Sequence, residues 1–204
     1  LSKRTEPIIV KRTSFDLNDV APRGKTNFDW SNRRRDTSTA TTTAHFGDLL
    51  PALVEFIQGS ESIAGCVAWL TSDRVIDAMS VRPVALVLNK EWMYRSTDAS
   101  GKAVRQRMRL ARLSGGLLAS TFPSPLKDLA PARTKLDAVR VAGHSPRVRT
   151  LNAPLMHHKF IVRLAGGKPV AVWTGSFNFT ANASSSLENA VEIHDPVIAA
   201  AYLA

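Results

Sequence analysis

Residues 155–192 read LMHHKFIVRLAGGKPVAVWTGSFNFTANASSSLENAVE, and both the fold and the candidate site can be predicted from them. Two apolar runs in this segment, 156–162 and 170–174, have the length of β-strands, and the Gly166-Gly167 pair between them suits a tight turn. The polar residues of the segment stand near the ends of these runs. This pattern is typical of neighbouring strands that carry a site at their ends.

A histidine and a lysine share one face of the first predicted strand. Because successive side chains of a strand point to opposite faces, His157 and Lys159 lie together while His158 points away from them. We therefore predict that His158 is a packed or hydrogen-bonded core histidine, and we interpret His45 and His194 in the same way.

Further polar residues follow the second strand. Gly175 permits a tight bend that presents Ser176 and Asn178, and Glu188 comes a short way on. An imidazole, an ammonium, a hydroxyl and an amide together suit a phosphate group, because they supply a nucleophile, a positive charge and hydrogen-bond donors. A carboxylate can hold the imidazole in the required tautomer, and Glu188 and Glu192 are the candidates for this role.

The preceding part of the chain predicts a strand–helix–strand unit. Apolar runs at 63–70 and 82–88 read as buried strands, and a helical pattern capped by residues 71–73 separates them. Such a unit pairs its two strands in parallel within a sheet that is covered on both faces. The predicted fold is therefore α/β, with a mixed, largely parallel sheet and helices on both faces.

Other elements complete this prediction. Helices are expected at 47–58 and 101–113, a short strand at 147–150, and a final helix that begins at Pro196 with Asp195 as its N-cap. Residues 1–45 are polar and basic in patches, so we expect a loosely packed N-terminal extension followed by one domain at 46–204. The chain stops inside its last predicted helix, and we expect it to be a C-terminally truncated piece of a longer protein.

Charge and cysteine content narrow the class of protein. There are 27 lysines and arginines against 17 acidic residues, a formal net charge of +10, which favours a polyanionic partner such as nucleic acid or an anionic membrane surface. Cys66 is the only cysteine, so a disulfide framework and a cysteine-rich zinc site are excluded, and its apolar surroundings predict a structural thiol. With no signal peptide and no apolar run of about 20 residues, a cytoplasmic protein without stable membrane association is expected.

The order and spacing of the polar residues resemble a known family. His157-x-Lys159, followed by Gly175-Ser176-Phe177-Asn178 and then Glu188-Asn189, is similar to the HKD motif of the phospholipase D superfamily, and most similar to its single-motif, metal-independent nucleases. The chain departs from the motif at one position, because Leu164 stands where the family has a structural aspartate.

This resemblance implies a mechanism for phosphodiester hydrolysis. His157 would attack phosphorus and form a phosphohistidine, Lys159 and Asn178 would hold the non-bridging oxygens with help from Ser176, and Glu188 would orient His157. A second histidine must protonate the leaving oxygen, so the resemblance implies a homodimer in which a second copy of His157 completes one composite site. Neither a metal nor another cofactor is expected.

Three functions remain in view. An endonuclease acting on nucleic acid, with DNA favoured over RNA, fits the motif and the charge together. A phosphodiesterase acting on phospholipids is the first alternative, and a nucleic-acid-binding domain with an inactive site, suggested by Leu164, is the second.

Three tryptophans, Trp69, Trp92 and Trp173, are interpreted as core residues rather than as platforms on which bases stack.

Overall fold

The computed structural model describes residues 35–89, 101–115, 122–129, 137–142, 156–181, 183, 186 and 188–204. The described residues contain eight strands: β1 Arg35–Ser38, β2 Thr42–Phe46, β3 Ser62–Val67, β4 Val84–Asn89, β5 Val139–Ala142, β6 Lys159–Ala165, β7 Lys168–Gly175 and β8 Asn189–Ile193. They also contain four α-helices, α1 Leu50–Gln58, α2 Asp73–Ser80, α3 Gly101–Leu110 and α4 Pro196–Ala201, and a 3-10 helix at Leu126–Leu129. The strand predicted at 147–150 lies outside the described residues, as do Trp92 and residues 1–34 of the predicted extension.

All eight of these strands form one mixed sheet in the order β1-β2-β8-β7-β6-β3-β4-β5. The predicted unit is confirmed, because β3 pairs in parallel with β4 on either side of α2 in the sequence. Parallel pairing extends only from β4 to β5, and the other five pairs are antiparallel. The α/β class with a mixed sheet is therefore confirmed, but the sheet is not largely parallel.

The turn between β6 and β7 gives a physical reason for this difference. Gly166 and Gly167 have φ angles of 55° and 71°, in the left-handed region that glycine adopts at little cost. A turn of this length reverses the chain at once, so the two strands that it joins must be antiparallel. A parallel pair would need a long crossover connection instead.

Helices cover both faces of the sheet, as predicted. The larger apolar cluster lies on one face and contains the buried side chains of α1 and α2, including Leu53, Phe56 and Ile76. The smaller cluster lies on the other face, where Ala199 of α4 packs with sheet residues such as Val172. The predicted start of α4 is also confirmed, because the side chain of Asp195 accepts hydrogen bonds from two backbone N–H groups of its first turn.

Residues 35–46 correct the prediction of a loosely packed extension. They form β1 and β2, and β2 pairs with β8 from Thr42 opposite Ile193 to Phe46 opposite Asn189. The Thr-rich sequence shows no apolar alternation, although β-branched threonine suits a strand, and the pairing partner lies at the far end of the chain. None of the described helices is long and apolar enough to cross a membrane.

The strand directions bring several chain segments to one edge of the sheet. Lys159 at the start of β6 lies opposite Val67 at the end of β3, and Gly175 at the end of β7 lies opposite Ala190 near the start of β8. The ends of β3 and β7 and the starts of β6 and β8 therefore meet at the same edge, which positions the candidate site.

Candidate functional site

The start of β6 carries the first part of the site. Lys159 Nζ lies 3.2 Å from each ring nitrogen of His157 and donates a hydrogen bond to the His157 backbone carbonyl at 2.9 Å. His157 is exposed, whereas Lys159 is only 8% exposed. The predicted pairing of the histidine and the lysine is therefore present.

His158 has a different environment from its neighbour. Its ring contacts the ring of Phe160 at 5.9 Å, on the opposite side of the strand from Lys159, as the alternation of side chains predicts. It is nevertheless exposed, so the prediction of a core histidine is wrong at this position. Residue 158 precedes β6, which begins at Lys159 and whose first four residues are buried.

Burial and a nearby carboxylate act on Lys159 in opposite directions. Burial lowers the pKa of its ammonium group, because a charged group loses solvation inside the protein, and the negative charge of Glu188 opposes this shift. A poorly hydrated ammonium group interacts strongly with an anionic oxygen that enters the same space. Lys159 is thus suited to hold a phosphate oxygen.

Ser176 and Glu188 form the second part of the site at the end of β7. The Ser176 hydroxyl donates a short hydrogen bond to the Glu188 carboxylate, and Ser176 also exchanges hydrogen bonds with the backbone of Asn189. This close approach requires glycine at residue 175, where a Cβ atom would lie 2.3 Å from the Asn189 carbonyl oxygen. Glu188 therefore contacts Ser176, and its orientation of His157 stays a prediction.

Asn178 lies on the loop that follows β7. It is half-buried, and its side-chain oxygen is a buried atom without a hydrogen-bond partner among the described residues. The next residue anchors the loop beside the end of β3, because the Phe179 N–H donates to the Trp69 carbonyl oxygen at 3.1 Å. This oxygen is an acceptor, so it is the amide nitrogen of Asn178 that can donate a hydrogen bond to a phosphate oxygen.

Trp69 is a site residue that the sequence analysis assigned to the core. Its ring lies 5.1 Å from the His157 ring at an angle of 79°, and Lys159 Nζ lies 5.8 Å from the centre of the indole. Trp69 is half-buried, whereas Trp173 is fully buried and fits the core prediction. The position of Trp69 near the end of the apolar run 63–70, where a strand of the sheet stops, was the signal that could have found it.

Glu192, the other candidate acid, belongs to a separate polar cluster. It accepts hydrogen bonds from His45 at 3.2 Å and from His194 at 3.0 Å, and His45 also contacts the Asp36 carboxylate at 2.9 Å. His45 is buried and stacks on Trp173, as a core histidine should, whereas His194 is exposed. We call these four residues, Asp36, His45, Glu192 and His194, the His45 cluster.

Leu164, which replaces the motif aspartate, lies away from the site. Its side chain is fully buried in the smaller apolar cluster, where Val162 and Ala199 also pack. Cys66 packs against the same cluster, and burial raises the pKa of its thiol, which agrees with a structural role. The residue at the aspartate position therefore serves core packing.

No group of three or more histidine, cysteine or acidic side chains suited to a metal ion occurs in the described part of the chain.

Comparison with known proteins gives the fold but no family assignment. No protein-family model matches the chain. An uncharacterized protein of Acanthamoeba polyphaga mimivirus is 27% identical over 188 residues, which is 85% of this chain and 66% of the viral protein. The chain thus spans slightly less than two thirds of that relative.

Two solved structures share the architecture. One is the phospholipase D family member Nuc from Salmonella typhimurium, with 18% identity, a TM-score of 0.51 and coverage of 80% of this chain and 89% of Nuc. The other is NucT from Helicobacter pylori, with 16% identity, a TM-score of 0.50 and coverage of 78% of this chain and 89% of NucT. The predicted phospholipase D-like fold is confirmed.

Proposed function

We propose that this protein is a phosphodiesterase that cleaves nucleic acid, with His157 as the nucleophile. One observation carries the proposal: the Lys159 ammonium group lies 3.2 Å from the His157 ring, at the edge of a phospholipase D-like sheet. A nucleophile beside a fixed positive charge is the arrangement that attack on an anionic phosphodiester requires.

In the proposed reaction, the substrate phosphate binds between the start of β6 and the end of β7. Lys159 neutralises a non-bridging oxygen, and the Asn178 amide donates a hydrogen bond to a phosphate oxygen. Ser176 assists by holding Glu188, to which it donates its hydroxyl proton. A ring nitrogen of His157 then attacks phosphorus, a phosphorus–nitrogen bond forms, and the bond to the leaving oxygen breaks. Glu188, which accepts a hydrogen bond from Ser176, orients His157 without contacting the phosphate itself.

Two proton transfers complete the cycle. The leaving oxygen takes a proton from a second imidazole on the far side of the phosphate, because attack and departure are in line. The same imidazole, now neutral, removes a proton from a water molecule, whose oxygen attacks phosphorus and releases His157. The products are a phosphate monoester and an alcohol.

We propose that the second imidazole belongs to His157 of a second copy of the chain. Among the other described histidines, His45 and His194 are hydrogen-bonded to Glu192, and His158 turns toward Phe160. His157 is exposed at the edge of the sheet, where another chain can reach it. The complete site would then lie on the two-fold axis of a homodimer.

Charge and core packing favour a nuclease over the alternatives. A net charge of +10 suits a polymer with one phosphate per nucleotide, and DNA is the polymer that we expect to be cleaved. Leu164 fills a place in the apolar core and leaves the contact between Lys159 and His157 intact, so its presence gives no support to an inactive site.

The decisive experiment compares two neighbouring histidines. The parent protein, His157→Ala and the matched control His158→Ala are incubated in EDTA with single- and double-stranded DNA, RNA and phospholipid vesicles. We expect the parent and the control to cleave nucleic acid, and His157→Ala to lose at least roughly a thousandfold in kcat. Equal cleavage by His157→Ala, or turnover of the vesicles alone, would contradict the proposal.

A further inference from the structure

The backbone holds Trp69 between the two halves of the candidate site. On one side the Ala68 N–H donates to the His158 carbonyl oxygen at 2.8 Å, next to the nucleophile. On the other side the Trp69 carbonyl oxygen accepts a hydrogen bond from the Phe179 N–H at 3.1 Å, next to Asn178. The indole is therefore attached to a rigid edge of the sheet.

The indole ring lies close to the atoms that would hold the scissile phosphate. Lys159 Nζ is 5.8 Å from the ring centre, and the His157 ring is 5.1 Å away in a nearly perpendicular arrangement. A phosphate bound by these two side chains lies beside the indole, and only a sugar separates that phosphate from its base. The ring of Trp69 is thus within reach of a nucleobase next to the scissile bond.

The surroundings of Trp69 differ from those of a core tryptophan. Trp173 is 0% exposed and lies in the larger apolar cluster, whereas Trp69 is half-buried and is not a member of either cluster. A partly exposed indole on a rigid backbone offers a flat apolar surface at little entropic cost. Every base has a π-face, so such a surface binds bases without strict sequence preference.

A basic helix lies next to this surface. The Gln106 side chain of α3 donates a hydrogen bond to the backbone carbonyl of Leu70, the residue after Trp69, and so fixes α3 beside the site. The exposed face of α3 carries Arg105, which can meet the phosphates of a strand that continues past the site. Aromatic stacking combined with positive charge is the usual arrangement for binding single-stranded nucleic acid.

We propose that Trp69 forms a nucleobase subsite, on which an unpaired base adjacent to the scissile phosphate stacks. This inference rests on the proposed function and adds to it the preferred form of the substrate. A base inside a duplex is already paired and stacked on both faces, so it must leave the duplex before it can contact Trp69. The subsite therefore predicts that single strands bind and react better than duplexes.

The test separates stacking from a structural effect on His157. Binding of a labelled single-stranded DNA oligonucleotide is measured in parallel with an otherwise identical strand that carries abasic sugars. The proteins are the parent, Trp69→Phe, Trp69→Leu and the matched control Tyr202→Leu, which removes a half-buried aromatic ring on the opposite face of the sheet. Thermal unfolding confirms that each variant is folded, and cleavage of the normal strand is recorded separately.

The parent is expected to bind the normal strand roughly 5- to 150-fold more tightly than the abasic strand. Trp69→Leu should lose this difference, Trp69→Phe should keep only part of it because its ring is smaller, and Tyr202→Leu should keep all of it. Equal binding of the two strands by the parent overturns the inference, as does a Trp69→Leu variant that binds both strands more weakly by the same factor. If Trp69→Leu does not fold, Trp69→Phe is compared with Tyr202→Leu instead. A smaller preference for the normal strand over the abasic strand in Trp69→Phe supports the subsite, and an equal preference in the two variants overturns it. Base-dependent binding without cleavage contradicts the proposed function alone.

Discussion

Leu164 shows how one residue can depart from a motif without changing the site. In the resembled family an aspartate occupies this position, but here the side chain is fully buried beside Val162 and Ala199. An aspartate in the same place would have to lose its hydration without an evident polar partner, or be protonated. Leucine is therefore the residue that this core requires.

Restoring the motif aspartate should damage the protein rather than activate it. We expect Leu164→Asp to lower the free energy of unfolding by about 3 kcal/mol or more, because a carboxylate is buried among apolar side chains. The volume-conserving control Leu164→Met should cost less than about 1.5 kcal/mol. Urea unfolding of the three proteins at neutral pH measures both changes. A Leu164→Asp protein that is as stable as the parent and cleaves DNA faster would show that the site needs this carboxylate.

The strands β2 and β8 are joined by polar side chains as well as by backbone hydrogen bonds, and His45 is the buried member of this cluster. His45 lies between the carboxylates of Asp36 and Glu192, which is also bonded to His194. Burial by itself lowers the pKa of His45, but the hydrogen bonds to Glu192 and Asp36 outweigh it, so the pKa is raised. Burial likewise raises the pKa of Glu192, but the two histidines outweigh it and the pKa is lowered. Burial lowers the pKa of the Arg163 guanidinium, and the negative charge of Glu192 opposes this shift.

These shifts predict a pH window for the stability of this part of the sheet. A raised histidine pKa contributes stability that is complete below the unfolded value of about 6.5 and is lost as the pH rises through the folded value. A lowered glutamate pKa contributes stability that is complete above about 4.3 and is lost at more acidic pH. The cluster should therefore stabilise the fold most between about pH 4.3 and 6.5.

The substitution His45→Gln tests this window at the level of the two strands. We expect it to lower the free energy of unfolding by roughly 1–3 kcal/mol in mildly acidic solution, because the carboxylates of Asp36 and Glu192 lose their charged hydrogen bonds to His45. The difference from the parent should shrink as the pH rises above 7. Thermal unfolding of both proteins from pH 4 to 9 measures the profile. A difference that is the same at every pH would mean that His45 contributes through packing on Trp173 and not through its charge.

At the scale of the whole molecule, the proposed reaction requires two copies of one residue. Each chain supplies His157, so a dimer of one parent chain and one His157→Ala chain contains only half of the required pair. Such a mixed dimer should be inactive, whereas a site contained within one chain would keep its activity. Subunit mixing can distinguish these two arrangements.

An equal mixture of parent and His157→Ala chains, after complete subunit exchange, should have about one quarter of the activity of the parent at the same total concentration. Independent subunits would give about one half. Mixing the parent with His158→Ala serves as the control and should leave the activity unchanged. Light scattering across a wide concentration range complements the assay, and an active monomer would rule out the composite site.

The sequence by itself determined the local features of this protein. Strand-forming runs, the glycine pair between β6 and β7, the cap at Asp195 and the pairing of His157 with Lys159 all follow from residues that are close in the chain. Backbone preferences, side-chain alternation and capping act over a few residues, so their consequences can be predicted from short segments. The order of polar residues in one such segment also suggested the phospholipase D-like fold.

The tertiary structure decided which distant residues meet. His45 and Glu192 are 147 residues apart in the chain, yet they are hydrogen-bonded because β2 lies next to β8. In the same way, Trp69 reaches His157 because β3 lies beside β6, and Leu164 is buried in a cluster that includes Phe122 and Ala199, which are distant from it in the chain. Strand order and helix placement depend on the packing of the whole sheet, and local sequence preferences do not specify them.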